Sequence, residues 1–398
     1  MKKYALITVS DKTGVVELAR GLQELGFAIL STSGTAKSMR DSGIDVTEVS
    51  DVTGFPEILD GRVKTLHPTI HAGILARREI PEHLAKLAEL QIDRIDLVAV
   101  NLYPFEQVRK QPEATDGQII ENIDIGGPAL LRAAAKNHQG VIVLTDPADY
   151  PTVLAALKDN PDLTSELRRA LAAKAFDLVS GYDAGIAHYL AGASGSREEA
   201  RDLPASFALR GRLQEPLRYG ENPHQTAGFY ASARPDWQLL HGRELSFNNY
   251  QDIDAALRAL RLFGRPTAVI VKHCNPCGLA TADTLEEAYR KAFAADTQSP
   301  FGGIVGLNRP LDRATAQNID QIFTEIVIAP GFEDGVLDYL KRKKNRRLIA
   351  FDPRVVSQPE LPWETRQLRR GFLLQSWDQV DEDSTNWNVV TQRQPSPE

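Results

Sequence analysis

Cysteine is nearly absent from this sequence: two thiols, Cys274 and Cys277, stand among 398 residues. One pair gives no disulfide framework. It also falls short of a structural zinc site, which needs four ligands. None of the eight histidines begins a His-x-Glu step, which excludes a zinc-dependent base deaminase. The pair is left as a redox couple or as two small packed thiols. Long apolar runs are missing too. The first, Tyr4-Ala-Leu-Ile-Thr-Val9, has only a strand's length, so neither a signal-peptide core nor a bilayer span is expected and the cytoplasm is the expected compartment. An excess of positive charge is absent: 46 Lys and Arg face 53 Asp and Glu, a net charge of −7. The chain as a whole is therefore not a nucleic-acid binder, and any anionic ligand must rely on local cations. There is no internal repeat.

The composition is that of a soluble globular protein, with 42% hydrophobic and 25% charged residues, and the length suits two or three domains. Short β-rich runs at 4–9, 27–31, 46–49, 97–101 and 141–145 alternate with helical patterns such as Val15–Leu22. That alternation predicts an α/β fold, a doubly wound parallel sheet with ligands at the strand carboxyl ends. The loops after residues 9, 31 and 100 then share one edge. Residues 151–191 turn helical, with Leu163, Leu167, Leu171, Ala175 and Leu178 in a stripe beside a Thr164/Ser165 cap. Gly192–Ser196 reads as a linker. The expected divisions are 1–150, a helical extension and linker at 151–199, and a second domain at 200–398. In that domain Ala268–Val271 and Ile326–Ala329 read as strands and Leu285–Phe293 as a helix. The C-terminal residues 392–398 read as a frayed end.

Two glycine-containing polar loops, Ser10-Asp11-Lys12-Thr13-Gly14 and Thr32-Ser33-Gly34-Thr35, sit where a strand ends and a helix begins. Backbone N–H groups and a positive helix end hold phosphate at such places. Gly61-Arg62-Val63-Lys64-Thr65-Leu66-His67-Pro68 adds two cations, a hydroxyl and an imidazole. Asn101-Leu102-Tyr103-Pro104-Phe105 ends a strand with an amide and a phenol suited to a planar polar substrate. Ile123-Asp124-Ile125-Gly126-Gly127-Pro128 opens a helix that carries Arg132 and Lys136. Asp124 and Lys136 are twelve residues apart, too far to touch along a straight helix, so any partnership between them is tertiary. The other reading makes Asp124 a cap and Lys136 a last-turn cation. Further on, Arg218-Tyr219-Gly220-Glu221-Asn222-Pro223 forms a loop, and Lys272-His273 leaves the end of a buried strand. A lysine beside it keeps the imidazole neutral and available as a base. The basic run Lys341–Arg347 lacks interleaved aromatics and reads as a solvated loop rather than a nucleic-acid patch.

At these motifs the chain resembles the bifunctional purine-biosynthesis family that joins aminoimidazole carboxamide ribonucleotide (AICAR) transformylase to inosine monophosphate (IMP) cyclohydrolase. The resemblance implies a methylglyoxal-synthase-like cyclohydrolase domain, then a partial cytidine-deaminase-like α/β domain without zinc. It implies that Ser10, Asp11, Lys12, Thr32, Ser33, Gly34, Thr35, Arg62, Thr65, Asn101, Ile125 and Gly126 bind nucleotide. Lys64, Tyr103, Asp124 and Lys136 are then catalytic for ring closure. Arg218 and Tyr219 hold the second domain's nucleotide, where Lys272 and His273 act as base. The resemblance further implies no tightly bound cofactor, 10-formyltetrahydrofolate as a co-substrate, and as partners the nucleotide and folate substrates and a second copy in a homodimer, with no nucleic acid and no membrane. Family members continue past Pro397-Glu398 through further folate- and substrate-contacting motifs, so the transformylase site is expected to lack what those supply. Two other classes compete: a sugar-phosphate lyase or sensor on the same N-terminal fold, and a non-catalytic nucleic-acid binder using Lys341–Arg347.

Overall fold

The computed structural model describes residues 2–160, 163–192, 203–204, 206–231, 235–356, 363–377 and 388–393. The chain divides into two compact units, residues 1–209 and 210–398. The linker expectation at Gly192–Ser196 falls, beyond Gly192, outside the described residues, as does the end beyond Arg393.

The first unit runs β1 (Lys3–Val9), α1 (Val15–Glu24), β2 (Ala28–Ser31), α2 (Ser33–Arg40), β3 (Val46–Glu48), α3 (Val49–Thr53), α4 (Pro68–Leu75) and α5 (Pro81–Glu89). It continues with β4 (Arg94–Asn101), α6 (Phe105–Arg109), α7 (Asp116–Glu121), α8 (Gly126–Lys136), β5 (Ile142–Leu144), α9 (Tyr150–Asp159) and α10 (Ser165–Gly192). Its sheet has the order β3-β2-β1-β4-β5 and every pairing is parallel. The order in which the chain adds strands across the sheet reverses between β1 and β4, where a parallel sheet opens a crevice at its carboxyl edge. The strands read as near-continuous apolar runs because helices cover both faces. Ala5, Leu6, Ile7, Leu97, Val98 and Ala99 are fully buried. The apolar stripe predicted for residues 163–178 enters this core: Leu163, Leu171 and Ala175 are buried in it and Leu167 and Leu178 pack against it, Leu163 from a left-handed turn before α10.

The second unit runs β6 (Arg212–Leu217), β7 (Ala227–Ala231), β8 (Trp237–His241), α11 (Phe247–Leu260), β9 (Thr267–Lys272), β10 (Asn275–Thr281), α12 (Leu285–Ala295) and β11 (Ile304–Leu307). Then come α13 (Arg313–Ile319), β12 (Ile326–Ala329), α14 (Val336–Lys341), β13 (Arg347–Phe351), β14 (Trp363–Leu368) and β15 (Gly371–Ser376). Its mixed sheet has the order β10-β9-β11-β12-β13-β8. The two-residue period of a strand sends alternate side chains to opposite faces. Ala268, Ile270, Val305 and Val327 join the core under α12, α13 and α14, while Val269, Val271, Ile304 and Ile326 join the one under α11. Gly306 lets α11 approach, since a Cβ there would stand 3.0 Å from Val269 Cγ1 and 3.2 Å from Ala256 Cβ.

The basic run at 341–347 is the solvated loop expected from sequence only in part: Arg342 to Asn345 are exposed, but its last two arginines are buried. Arg346 is 1% exposed and donates to Asp320 at 2.8 Å, and Lys343 pairs with the same carboxylate at 2.9 Å. Arg347 is buried as well, paired with Glu325 at 2.8 Å and donating to the Glu244 carbonyl. A charge is kept inside only when paired, and these arginines bind backbone and carboxylates of their own sheet. Removing one partner leaves an uncompensated buried cation, so Asp320→Ala is expected to destabilise the second unit by about 3 kcal/mol. Its thermal transition, followed by calorimetry, should fall by several degrees; an unchanged transition would show that solvent replaces the carboxylate at no cost.

Candidate functional site

The carboxyl edge of the first sheet holds a cleft of about 590 Å³, within the range of small-molecule sites. Four loops build it. At the end of β1, Gly14 takes φ 66 and turns the chain into α1, while Ser10 and Lys12 face the cleft. At the end of β2, Thr32, Gly34 and Thr35 open α2. The third loop, from 58 to 65, is the strained one. Leu59, Asp60 and Gly61 take φ of 56, 54 and 88 in succession, beneath an Ile58–Val63 bridge. Non-glycine residues avoid that region, and such strain concentrates at functional sites. The turn delivers Arg62, Lys64 and Thr65 to the cleft. The fourth wall is the segment from Tyr103 through Asp124 to Gly127.

At one end, Thr35 Oγ1 ties the β1 and β2 loops together. It donates to the Val9 carbonyl at 3.0 Å and accepts from Lys12 Nζ at 3.1 Å. Burial, and then the nearby Lys64 charge, push the Lys12 ammonium below its ordinary range. Two cations thus converge on one cavity, which an anion would relieve.

At the other end, Lys64 Nζ donates to Tyr103 Oη at 3.1 Å. Beside them lies the Asp124 carboxyl. Its Oδ1 accepts the Gly127 N–H at 2.8 Å, at the start of α8, and its own N–H donates to Tyr182 Oη at 2.7 Å. Burial pushes the Asp124 pKa up, against the lowering pull of the Gly127 N–H and the Lys64 charge. A carboxyl so poised, next to an ammonium and a phenol, suits proton transfer. Gly127 makes room for it: a Cβ there would run into Asp124 Oδ2 and come within 2.9 Å of Leu102 Cδ2. Gly127→Ala is therefore expected to displace the carboxyl and lower turnover at least tenfold with the circular dichroism spectrum intact. Unchanged turnover would show that the carboxyl's position is not needed.

Most residues expected at this site are brought together: Ser10, Lys12, Thr32, Gly34, Thr35, Arg62, Lys64, Thr65, Asn101, Tyr103, Asp124, Ile125 and Gly126 all line it. Three are turned to other tasks. Asp11 closes its own turn, accepting from Thr13 N and Oγ1 at 2.9 and 2.7 Å, and these bonds hold its pKa low. Ser33 donates to Glu57. Asn101, although it lines the cleft, spends its amide on the loop: Oδ1 accepts from Ser10 and Asp11 N–H at 2.6 and 2.9 Å, and Nδ2 donates to the Asp11 carbonyl at 3.0 Å. Arg62 is paired with Glu121. Lys136 is elsewhere. It ends α8 and lines a second cleft with His71, Arg132 and Arg169, so the tertiary meeting with Asp124 does not occur in the first cleft. Glu121 and Tyr182 escaped sequence reasoning; Tyr182 is 58 residues from Asp124, on a helix with no motif of its own.

In the second unit, β9 and β10 pair Lys272 with Asn275, leaving His273 and Cys274 as a two-residue hairpin turn. Both take left-handed φ, 54 and 63, as the favoured hairpin turn requires, although neither is glycine. Asp252 Oδ1 accepts the Cys274 N–H at 2.6 Å, and the Asn275 amide donates to the His273 carbonyl at 2.9 Å. Lys272 Nζ donates to the Phe301 carbonyl at 2.9 Å. The Cys274 thiol is pushed up by burial and by Asp252, with Asp254 and Glu221 also contributing. Burial likewise raises Cys277, so neither is an activated thiolate. Arg218 stacks over the Tyr219 ring, 5.4 Å from its centroid.

Two sequence families match. The family described as the AICARFT/IMPCHase bienzyme matches residues 134–398, and the MGS-like domain matches residues 14–129. The chain belongs to the AICARFT/IMPCHase bienzyme family. It is 49% identical, over its whole length and 77% of the relative's, to the bifunctional purine biosynthesis protein PurH of Pelodictyon phaeoclathratiforme. Its identity to the PurH protein of Oceanobacillus iheyensis is 48%, over 100% of this chain and 77% of that one. For Bacillus subtilis the figures are 47%, 99% and 77%. The crystal structure of ForH aligns over 50% of this chain and 100% of its own, at 43% identity and a TM-score of 0.44. The two matched regions correspond to the fold expected of a bienzyme chain, with a parallel sheet in the first unit and a mixed one in the second. Among the described residues, no helix is long and apolar enough to cross a membrane.

Proposed function

We propose that the first unit closes formyl-AICAR to IMP in the cleft between β1 and β4. The observation that carries this reading is the placement of Lys64, Tyr103 and the buried Asp124 at one end of a cleft whose other end presents Lys12, Gly34 and Thr35. Phosphate sits on the α2 N-terminus and Lys12, and the ring with its two side groups reaches the other end. The carboxamide nitrogen attacks the formyl carbon, forming the new C–N bond, and its proton passes to the former formyl oxygen. The hydroxyl then leaves as water with the proton of the formamide nitrogen, so the elements of one water depart and no electrons are exchanged. Lys64 and Tyr103 stabilise charge growing on the formyl oxygen. Asp124, its pKa raised by burial, takes the nitrogen proton and delivers one to the leaving hydroxyl. Lys136 has no part in this scheme.

The second unit, in the same reading, transfers the formyl group of 10-formyltetrahydrofolate to AICAR. Arg218 and Tyr219 hold the nucleotide, and His273 on its strained turn removes the amine proton beside Lys272; the amine nitrogen bonds to the formyl carbon as the bond to folate N10 breaks, and N10 takes up a proton, releasing tetrahydrofolate. The chain thereby carries out the last two steps of IMP synthesis. Ring closure is assayed with the full chain by ultraviolet absorbance, where closure well above the buffer rate is expected; a folded chain without it contradicts the proposal. Formyl transfer is assayed in parallel, with this chain and with one extended by a relative's C-terminal segment. The extended chain should be the faster, and no transfer by either contradicts the second assignment.

A further inference from the structure

Elsewhere on the first unit, α4, the C-terminal half of α8 and the beginning of α10 border a second, open concavity of about 770 Å³. Its floor is small: Ala133 and Ala172 are buried there. Its rim carries Arg132, Lys136 and Arg169, with His71 and His138 between them, and no lining residue is acidic. Arg132 and Lys136 stand four apart on α8, where like charges repel by a few tenths of a kcal/mol. Arg169 stands one turn from the N-terminus of α10, the end that disfavours cations. None of these three cations has an ion pair among the described residues, whereas the two buried arginines of the second unit, Arg346 and Arg347, are paired by Asp320 and Glu325. Above the alanine floor, the Phe176 ring is 41% exposed, with the Arg132 guanidinium 5.8 Å from its centroid. A fold that needed only to pack these helices would gain by placing one carboxylate here. An anion with a flat ring would neutralise the rim and cover Phe176.

We propose that this concavity is a second ligand site that binds a nucleoside monophosphate, its phosphate held by Arg132, Lys136 and Arg169 and its base against Phe176. Arg and Lys together suit a phosphate monoester, which accepts a planar fork and a point charge at once. The site is separate from the ring-closure cleft, since the two share no lining residue. It also places Lys136, at the end of α8, in ligand binding rather than in proton transfer at Asp124.

The cleft contains its own reporters. His71 and His138 line it, and no histidine lines the first cleft. Burial holds the His71 imidazole below its ordinary range, and a neighbouring phosphate would move it upward. The full chain with ring-labelled histidine is titrated with adenosine monophosphate, ribose 5-phosphate and inorganic phosphate, the two signals being assigned with His71→Gln and His138→Gln. Adenosine monophosphate is expected to shift both signals at submillimolar concentration and to bind at least tenfold tighter than ribose 5-phosphate. Arg169→Glu should abolish the shifts, and Phe176→Ala should remove the preference for the nucleotide while leaving the weaker anions unaffected. Arg169 lies outside the ring-closure cleft, so this variant should cyclise formyl-AICAR at the wild-type rate. Signals that stay still at millimolar nucleotide, or that shift equally in Arg169→Glu, overturn the proposal whatever the outcome of the ring-closure assay.

Discussion

Lys64→Ala is expected to slow ring closure at least a hundredfold while leaving the melting temperature nearly unchanged. The side chain is half-buried and, among the described residues, its one hydrogen bond is to Tyr103 Oη, at 3.1 Å. Truncating such a lysine changes stability by about 0.5 kcal/mol, the scale of surface substitutions. Removing a donor aimed at charge that develops in the transition state costs on the order of 2.7 kcal/mol or more in the barrier. The rate effect therefore exceeds the stability effect, by about 2 kcal/mol, only if Lys64 acts on the reacting oxygen. Tyr103→Phe keeps the ring over which Lys64 sits and removes the hydroxyl, so an intermediate loss is expected. Steady-state kinetics and thermal unfolding of the same preparations decide this. A lowered melting temperature with undiminished turnover per folded molecule would make Lys64 structural.

Asp124→Asn is the second large effect, and its sign on stability is distinctive. Burial raises the Asp124 pKa, so ionisation costs more in the folded state than in the unfolded chain. The stability contributed by a group of this kind is present below its unfolded pKa and is lost as pH rises through the folded value. At neutral pH the ionised carboxylate is therefore a burden on the fold. Asparagine keeps the oxygen that accepts the Gly127 N–H and carries no charge, so the variant should melt at the same temperature as the parent or higher at pH 7. It should nonetheless lose at least a hundredfold in turnover, because an amide neither takes nor gives the proton. The parent's rate profile should show an acid limb above the ordinary aspartate range, and the variant's should be flat there. A variant that melts well below the parent at pH 7 would contradict the burial argument.

The parallel sheet was legible because its strands are short apolar runs set between amphipathic helices; β1, β2, β3 and β5 match the expected runs within a residue or two, and β4 begins three residues earlier. The phosphate loops were legible for the same reason, since glycine and small polar residues at a strand end have few other uses. What the pattern does not carry is side-chain direction. Lys136 follows Asp124 by twelve residues, and the rise of a helix takes it about 18 Å away, to a different cleft. Asn101 sits where a substrate amide contact was expected, yet its carbonyl oxygen and amine satisfy the Ser10–Asp11 backbone, a loop whose own hydrogen bonds the sequence leaves unassigned. The burial of Arg346 was illegible because its partner Asp320 lies 26 residues away on the far side of β12. A run of like charges reads as solvated until the acids that neutralise it are placed in space.

The most direct measurement is a crystal structure of the full chain with IMP bound. Its phosphate should lie against Lys12, Gly34 and Thr35, and its base beside Lys64, Tyr103 and Asp124. A chain that binds IMP with the β1/β4 cleft empty, or with the phosphate at Lys64 and the base at Lys12, would contradict the account.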